Sequence, residues 1–188
     1  MHESITGLIL AGGASRRFGM DKARASVGGR AMIARVFEAV SAVTDEVLVS
    51  VREGGGDYGL PARVVEDAVP DAGPLAGLEA GLRACRTPWL VVAACDMPFL
   101  TPEALEAVTR ARAPGLDAVV ARTPDGRLQP LCACYHTSVL PVVAARLRSG
   151  QRSMRGLLER LGAVRVVPLP EAPLRNVNRP GDLRGSGS

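Results

Sequence analysis

The stretch Leu10-Ala11-Gly12-Gly13-Ala14-Ser15-Arg16-Arg17-Phe18-Gly19-Met20-Asp21-Lys22 carries the parts for gripping a chain of phosphates. Glycines let backbone N–H groups come close to phosphate oxygens, and Arg16 and Arg17 add forked donors that match them. The spacing is neither the Gly-x-x-x-x-Gly-Lys-Ser/Thr of a Walker loop nor the Gly-x-Gly-x-x-Gly of dinucleotide sites. Composition alone fits a solvated basic loop equally. Lys22 weighs against that blander reading, because it is the only lysine among 23 basic residues. Where arginine meets every other need for positive charge, a compact ammonium points to a specific task. Beside an α-phosphate it would neutralise charge as a nucleophilic oxygen attacks and pyrophosphate leaves. A unit pair about 4 Å apart at an effective dielectric near 20 interacts by about 4 kcal/mol, about a thousandfold in rate if felt only in the transition state.

Asp96, in Cys95-Asp96-Met97-Pro98, closes an apolar run and is the candidate metal ligand. Magnesium takes one or two carboxylates plus phosphate oxygens and water, so a lone aspartate suffices. A capping role is less apt, since Thr101 directly before Pro102 is the better-placed cap for the next helix. Asp67 and Asp71 precede Gly73-Pro74-Leu75-Ala76-Gly77, where a carboxylate could accept hydrogen bonds from a guanine edge or a ribose while glycines admit a flat base. Both aspartates also fit plain turns, as do Asn176 and Asn178, whose amides could bind a ligand. His2 and His136 are the only histidines, which leaves no hydrolase triad, and His136 reads as a structural or surface residue. Cys132 and Cys134 share one face of a strand and could hold a soft metal, but buried small hydrophobes are the simpler reading. With Cys85 and Cys95 they show neither zinc-ribbon spacing nor disulfide density, so reduced thiols are expected.

These residues need elements to position them. Gly7 to Ala11 is a short apolar run stopped by glycines, which predicts a strand buried on both faces. Met32, Ile33, Val36, Phe37, Val40 and Val43 recur at helical spacing. Val47–Val51 and Ala62–Val65 read as strands, Pro74 to Cys85 as a helix and Trp89–Ala94 as a strand that stops at Asp96. Pro102 to Arg112 reads as a helix capped by Thr101, and Asp117 to Ala121 as extended. Arg127 to Tyr135 is less regular. Val139–Leu147 and Met154–Leu161 suggest helices and Val164–Val167 a late strand. Alternating strands and helices predict an α/β fold, a Rossmann-like, mostly parallel sheet with helices on both faces, in one domain over residues 1–184 with a flexible tail at 185–188. Ligands in such sheets sit outside the carboxyl ends of strands, where Gly12-Gly13, Asp67 and Asp96 all fall.

Composition narrows the partners. At 188 residues, one core is expected. Hydrophobic residues at 47% and charged residues at 22% exclude wholesale disorder. Aromatics at 3% leave little for stacking nucleic-acid bases. The formal charge of +4 suits an anionic partner, and its excess is concentrated between Gly12 and Arg35, so a nucleotide is favoured over nucleic acid. No apolar run reaches the roughly 18 residues of a membrane span, and Met1 to Thr6 lacks the features of a secretion signal, so a cytoplasmic protein is expected.

Taken together, the glycine/arginine/lysine loop, Val65-Glu66-Asp67, Gly73-Pro74-Leu75-Ala76-Gly77, Cys95-Asp96-Met97-Pro98, Gln129-Pro130-Leu131 and Asn176-Val177-Asn178 make the chain resemble the molybdenum cofactor guanylyltransferase family, the MobA-like nucleotidyltransferases. The resemblance spans Ile5 to about Leu183, and the ordered set is specific where no single member is. It implies transfer of GMP from GTP to the terminal phosphate of molybdopterin, with pyrophosphate released. It implies Lys22 and Asp96 as catalytic residues, with Mg2+ on Asp96. The nucleotide would be bound by Leu10, Ala11, Gly12, Gly13, Ser15, Arg17, Lys22, Asp67 and Asp96. Gln129, Pro130, Asn176 and Asn178 would face the pterin. Partners would be GTP and molybdopterin, with cofactor-insertion chaperones or acceptor molybdoenzymes as protein partners. A related cytidylyltransferase is the nearest alternative, and a catalytically silent nucleotide-binding or partner-docking module on the same fold is a second. Leu10-Ala11-Gly12-Gly13 and Pro74-Leu75-Ala76-Gly77 resemble the guanine-selective versions of the base-contacting segments. Ser50 stands where the family sometimes carries asparagine.

Overall fold

The computed structural model describes residues 4–12, 22–67, 69 and 72–178. Strand β1 (Ile5–Leu10) is buried along its whole length, as its unbroken apolar run requires. It pairs in parallel with β4 (Glu46–Val51) on one side and β6 (Trp89–Ala94) on the other. Beyond β4 lies β5 (Arg63–Glu66), also parallel. Beyond β6 come β8 (Leu128–His136), β7 (Ala118–Arg122) and β9 (Val164–Pro168), giving the order β5-β4-β1-β6-β8-β7-β9. Strand β8 runs antiparallel to both of its neighbours, and β7 and β9 are parallel. A two-residue ribbon, β2 (Ser26–Val27) against β3 (Arg30–Ala31), stands apart and follows a 3-10 turn at Lys22–Arg24.

Side chains alternate across the sheet and define two cores. Ile9, Val49, Val91 and Cys134 pack under α1 (Met32–Ser41) and α3 (Pro102–Arg110) through Ile33, Val36, Val40, Leu105 and Val108. Leu8, Leu48, Leu90 and Tyr135 pack under α2 (Pro74–Ala84), α4 (Leu140–Arg148) and α5 (Met154–Leu158) through Leu75, Leu78, Val143, Leu147 and Leu157. Helices thus cover both faces, as expected. Burying a leucine or isoleucine of this kind contributes about 1.5–3 kcal/mol, so ordering along both faces is driven by the aliphatic residues that replace the scarce aromatics. The short helix α6 (Glu171–Leu174) and the segment after it complete the described chain.

The expected elements are present with ends moved by a few residues. The correction is β8: the span read as less regular, with a strand expected only around Cys132 and Cys134, is one strand of nine residues, the longest among those described. Val120 pairs with Ala133 but Ala121 pairs with Gln129, so Pro130 falls in a bulge where its missing N–H costs no ladder bond. The Thr101 cap is as expected, its hydroxyl accepting from the Ala104 N–H at 3.3 Å. Residues 185–188, read as a tail, lie outside the described residues. Among the described residues no helix is long and apolar enough to cross a membrane.

Candidate active site

The chain runs β1 to β4 to β5 outward, then returns to β6 on the other side of β1, so the carboxyl ends of β1 and β6 flank the point where strand order reverses. Backbone bonds carry the loops out of the sheet in register: Ala11 N–H to the Ser50 carbonyl at 2.9 Å, Asp67 N–H to Val51 at 2.9 Å and Cys95 N–H to Leu10 at 3.1 Å. A hollow of about 190 Å3 opens there, walled by Leu10, Ala11, Gly12, Lys22, Ser50, Asp67, Gly77 and Asp96 among others. The ends of four strands, β1, β4, β5 and β6, therefore deliver side chains to one place.

Helix α2 closes against this edge because its glycines allow it. A β-carbon on Gly77 would overlap Ser50 Oγ and lie 2.6 Å from Leu10 Cδ2, and one on Gly81 would meet Leu8. The helix starts at Gly73, whose φ of 67° is a conformation that L side chains rarely adopt, and Gly73 and Pro74 turn its first residues to the hollow. That places the positive end of the helix dipole beside the hollow, where it would favour an anion.

Around Asp67 the contacts are tight. Ser50 Oγ donates to Asp67 Oδ1 at 2.5 Å, Arg52 Nε donates to the Gly12 carbonyl at 2.7 Å, and a β-carbon on Gly12 would come within 2.7 Å of Asp67 Oδ2. Burial raises the Asp67 carboxyl above its ordinary range, opposed by the Ser50 hydrogen bond and then by the Arg52 charge. Arg52 was not singled out in the sequence, although a cation directly after an apolar strand at the ligand edge was a readable signal.

Around Asp96 the arrangement is ionic. Lys22 Nζ lies 2.8 Å from Asp96 Oδ2 and 2.8 Å from Asn178 Oδ1, with the two charged side chains 18% and 19% exposed. Asp96 Oδ1 is buried and accepts no hydrogen bond among the described residues. A buried carboxylate oxygen left without a partner is costly, and a cation shared with phosphate oxygens would satisfy it. The residues present thus fit a magnesium ion held by one carboxylate and by substrate. No cluster of three or more His, Cys, Asp or Glu that could hold a metal occurs among the described residues.

Of the residues expected to bind nucleotide, Leu10, Ala11, Gly12, Lys22, Asp67 and Asp96 all line the hollow. Gly13, Ser15, Arg17 and Asp71 lie outside the described residues. Gln129 and Pro130 are half-buried on β8 and not on its wall; the Pro130 carbonyl accepts from the Tyr135 hydroxyl at 2.8 Å, and their neighbour Leu131 reaches the wall instead. Asn176 is exposed, while Asn178 turns its amide oxygen to Lys22. Cys132 and Cys134 are fully buried in the sheet core; burial pushes the Cys132 thiol up to about 12 and raises Cys134 as well, which opposes the thiolate a metal needs. His136 lies edge-on to Trp89, 5.1 Å between ring centres, with Nδ1 2.7 Å from Ser138 Oγ, a structural placement.

Comparison with known proteins finds relatives over nearly the whole chain. Residues 7–166 match the MobA-like NTP transferase domain. A probable molybdenum cofactor guanylyltransferase of Deinococcus radiodurans is 38% identical over 180 residues, covering 95% of this chain and 92% of the relative. The molybdenum cofactor guanylyltransferase of Pseudomonas putida is 37% identical over 182 residues, covering 94% of each. Among solved structures, molybdopterin-guanine dinucleotide biosynthesis protein A of Archaeoglobus fulgidus superposes with a TM-score of 0.76 at 29% identity, over 95% of both chains. A 2-C-methyl-D-erythritol 4-phosphate cytidylyltransferase of Thermus thermophilus, at 24% identity and a TM-score of 0.72 over 94% of both chains, shares the fold.

Proposed function

Because this chain belongs to the MobA-like NTP transferase family, we propose that it is a molybdenum cofactor guanylyltransferase, transferring GMP from GTP to the terminal phosphate of molybdopterin. The observation that carries the reading is the meeting of Lys22, Asp96 and Asp67 on one hollow at the reversal point of the sheet. Relatives over nearly the whole chain bear the same activity in their names.

The chemistry follows from charge and position. An oxygen of the pterin phosphate attacks the α-phosphorus of GTP, a new P–O bond forms, the bond to the β-phosphate bridge breaks, and pyrophosphate leaves. The attacking phosphate is already anionic, so no general base is needed, and holding the reactants in line carries much of the acceleration. Lys22 supplies a positive charge to the phosphates, where charge builds as pyrophosphate departs. Asp96 would hold Mg2+, which supplies further neutralisation of the triphosphate when bound. Leu10, Ala11, Gly12 and Gly77 present backbone and small surfaces to the nucleoside, and Asp67 accepts its hydrogen bonds. Gly13, Ser15 and Arg17 extend the phosphate grip. Gln129, Pro130 and Asn176 serve the pterin half. The reading places the reaction in the cytoplasm, with cofactor-insertion chaperones and acceptor molybdoenzymes as downstream partners.

The test supplies the purified protein with Mg2+ and molybdopterin and offers GTP, CTP or ATP in turn while pyrophosphate release is followed. Turnover with GTP and a guanine dinucleotide product is expected. Equal use of CTP would overturn the base assignment, and no turnover with any of the three would overturn the reading.

A further inference from the structure

We infer that Asn178 is a positioning residue that acts through Lys22, holding the ammonium at the phosphate site, and is not itself a pterin-binding group. The inference rests on Lys22 having the role given above. Among the described residues the ammonium is gripped from different parts of the chain by Asp96 Oδ2 and Asn178 Oδ1, each at 2.8 Å. They differ in what happens to them during the reaction. A carboxylate that accepts a divalent cation no longer gives all of its charge to the lysine, whereas a neutral amide oxygen keeps its hydrogen bond and adds no negative charge to a site that must take a triphosphate. A lysine side chain has four flexible carbons, and fixing it in one place is costly in rotamer freedom unless a partner holds it.

The partner is itself fixed. Val177 is fully buried among Ala25, Val27, Met32 and Phe99, a small core that joins the β2–β3 ribbon beside Lys22 to the loop after Asp96. The Val177 N–H donates to the Asp96 carbonyl at 2.8 Å, and the Arg175 guanidinium stacks over the Phe99 ring at 4.4 Å. One residue further on, Asn178 is exposed at the backbone's next step and turns its amide to the ammonium. The segment after α6 is therefore docked on both of the parts it bridges, and the amide is presented where Lys22 ends.

The experiment measures Mg2+-dependent GTP affinity without molybdopterin, and then kcat and KM for each substrate, in the wild type, Asn178→Ala, Asn178→Asp, Lys22→Ala and the Lys22→Ala/Asn178→Ala double variant. Asn178→Ala is expected to weaken GTP binding or lower kcat about threefold to tenfold with KM for molybdopterin unchanged, and to have no further effect once Lys22 is gone. Asn178→Asp keeps an acceptor of the same size but adds a charge, and should lower kcat at least as much as the alanine variant. Thermal melting within about 2 °C of wild type is expected for both, since the side chain is exposed. A raised KM for molybdopterin with GTP affinity untouched, or full additivity in the double variant, would overturn the inference and leave the role of Lys22 standing. Unimpaired GTP binding and turnover in Lys22→Ala would overturn both.

Discussion

Gly12 and Asp67 are in such close approach that a β-carbon on the glycine would lie 2.7 Å from the carboxylate oxygen Oδ2. The loop leaving β1 and the residue after β5 are thus fitted to one another, with Arg52, directly after the strand between them, holding the Gly12 carbonyl. Gly12→Ala should displace the carboxylate and weaken GTP binding by about tenfold, or about 1.4 kcal/mol, while the melting temperature changes little. Titration calorimetry with GTP checks this; wild-type affinity would show that Asp67 is not a nucleoside ligand.

The raised carboxyl of Asp67 gives a pH signature. Folding holds this group's pKa above its unfolded value, so its ionised form is penalised above the folded pKa, and the penalty is relieved as pH falls through that pKa toward the unfolded one. Asp67→Asn removes the penalty and should melt no lower than wild type at pH 7, with the difference shrinking as the solution is acidified, yet bind GTP more weakly.

Ser50 works in the opposite direction, since its hydrogen bond lowers the same pKa. Loss of GTP affinity on acidification should therefore set in at a higher pH in Ser50→Ala than in wild type. Superimposable affinity profiles from pH 4 to pH 8 would remove Asp67 as the titrating ligand.

Lys22→Ala and Asp96→Ala should each lower turnover by at least about tenfold, a barrier change of about 1.4 kcal/mol or more. Chelation of divalent cations should abolish turnover and Mg2+ restore it, with Asp96→Asn needing a higher Mg2+ concentration for half-maximal rate. Pyrophosphate release monitored across a magnesium titration separates the variants, and near-normal rates in both alanine variants would refute the electrostatic mechanism.

The cap of α3 offers a control on stability alone. Thr101→Ala removes the acceptor for the Ala104 N–H and should cost about 1 kcal/mol, or about 2–4 °C in melting temperature. Thermal denaturation followed by circular dichroism reads it, and turnover below the melting range should stay close to wild type.

The parts of this fold that were legible are those in which one local signal suffices. Trp89–Ala94 is a strand at both of its predicted ends because an unbroken apolar run stops at a polar turn. Lys22, Asp67 and Asp96 were readable because each follows such a stop or is alone in its chemistry. Strand β8 was legible only around Cys132 and Cys134, since Gln129 and Pro130 interrupt its pattern and the bulge that accommodates them exists only against β7. Its antiparallel direction is equally silent in the local sequence. Asn178 was visible as an amide, but its bond to Lys22 joins residues separated by 156 positions and depends on Val177 finding its pocket. No short-range pattern carries that information.

Val177 and Asn178 follow every described strand of the sheet in chain order, so the framework is specified before the segment that fastens the ammonium. Removal of the chain from Val177 onward would then take away the buried plug and the amide together, unfastening the ribbon beside Lys22 from the loop after Asp96 while leaving every strand of the sheet in place.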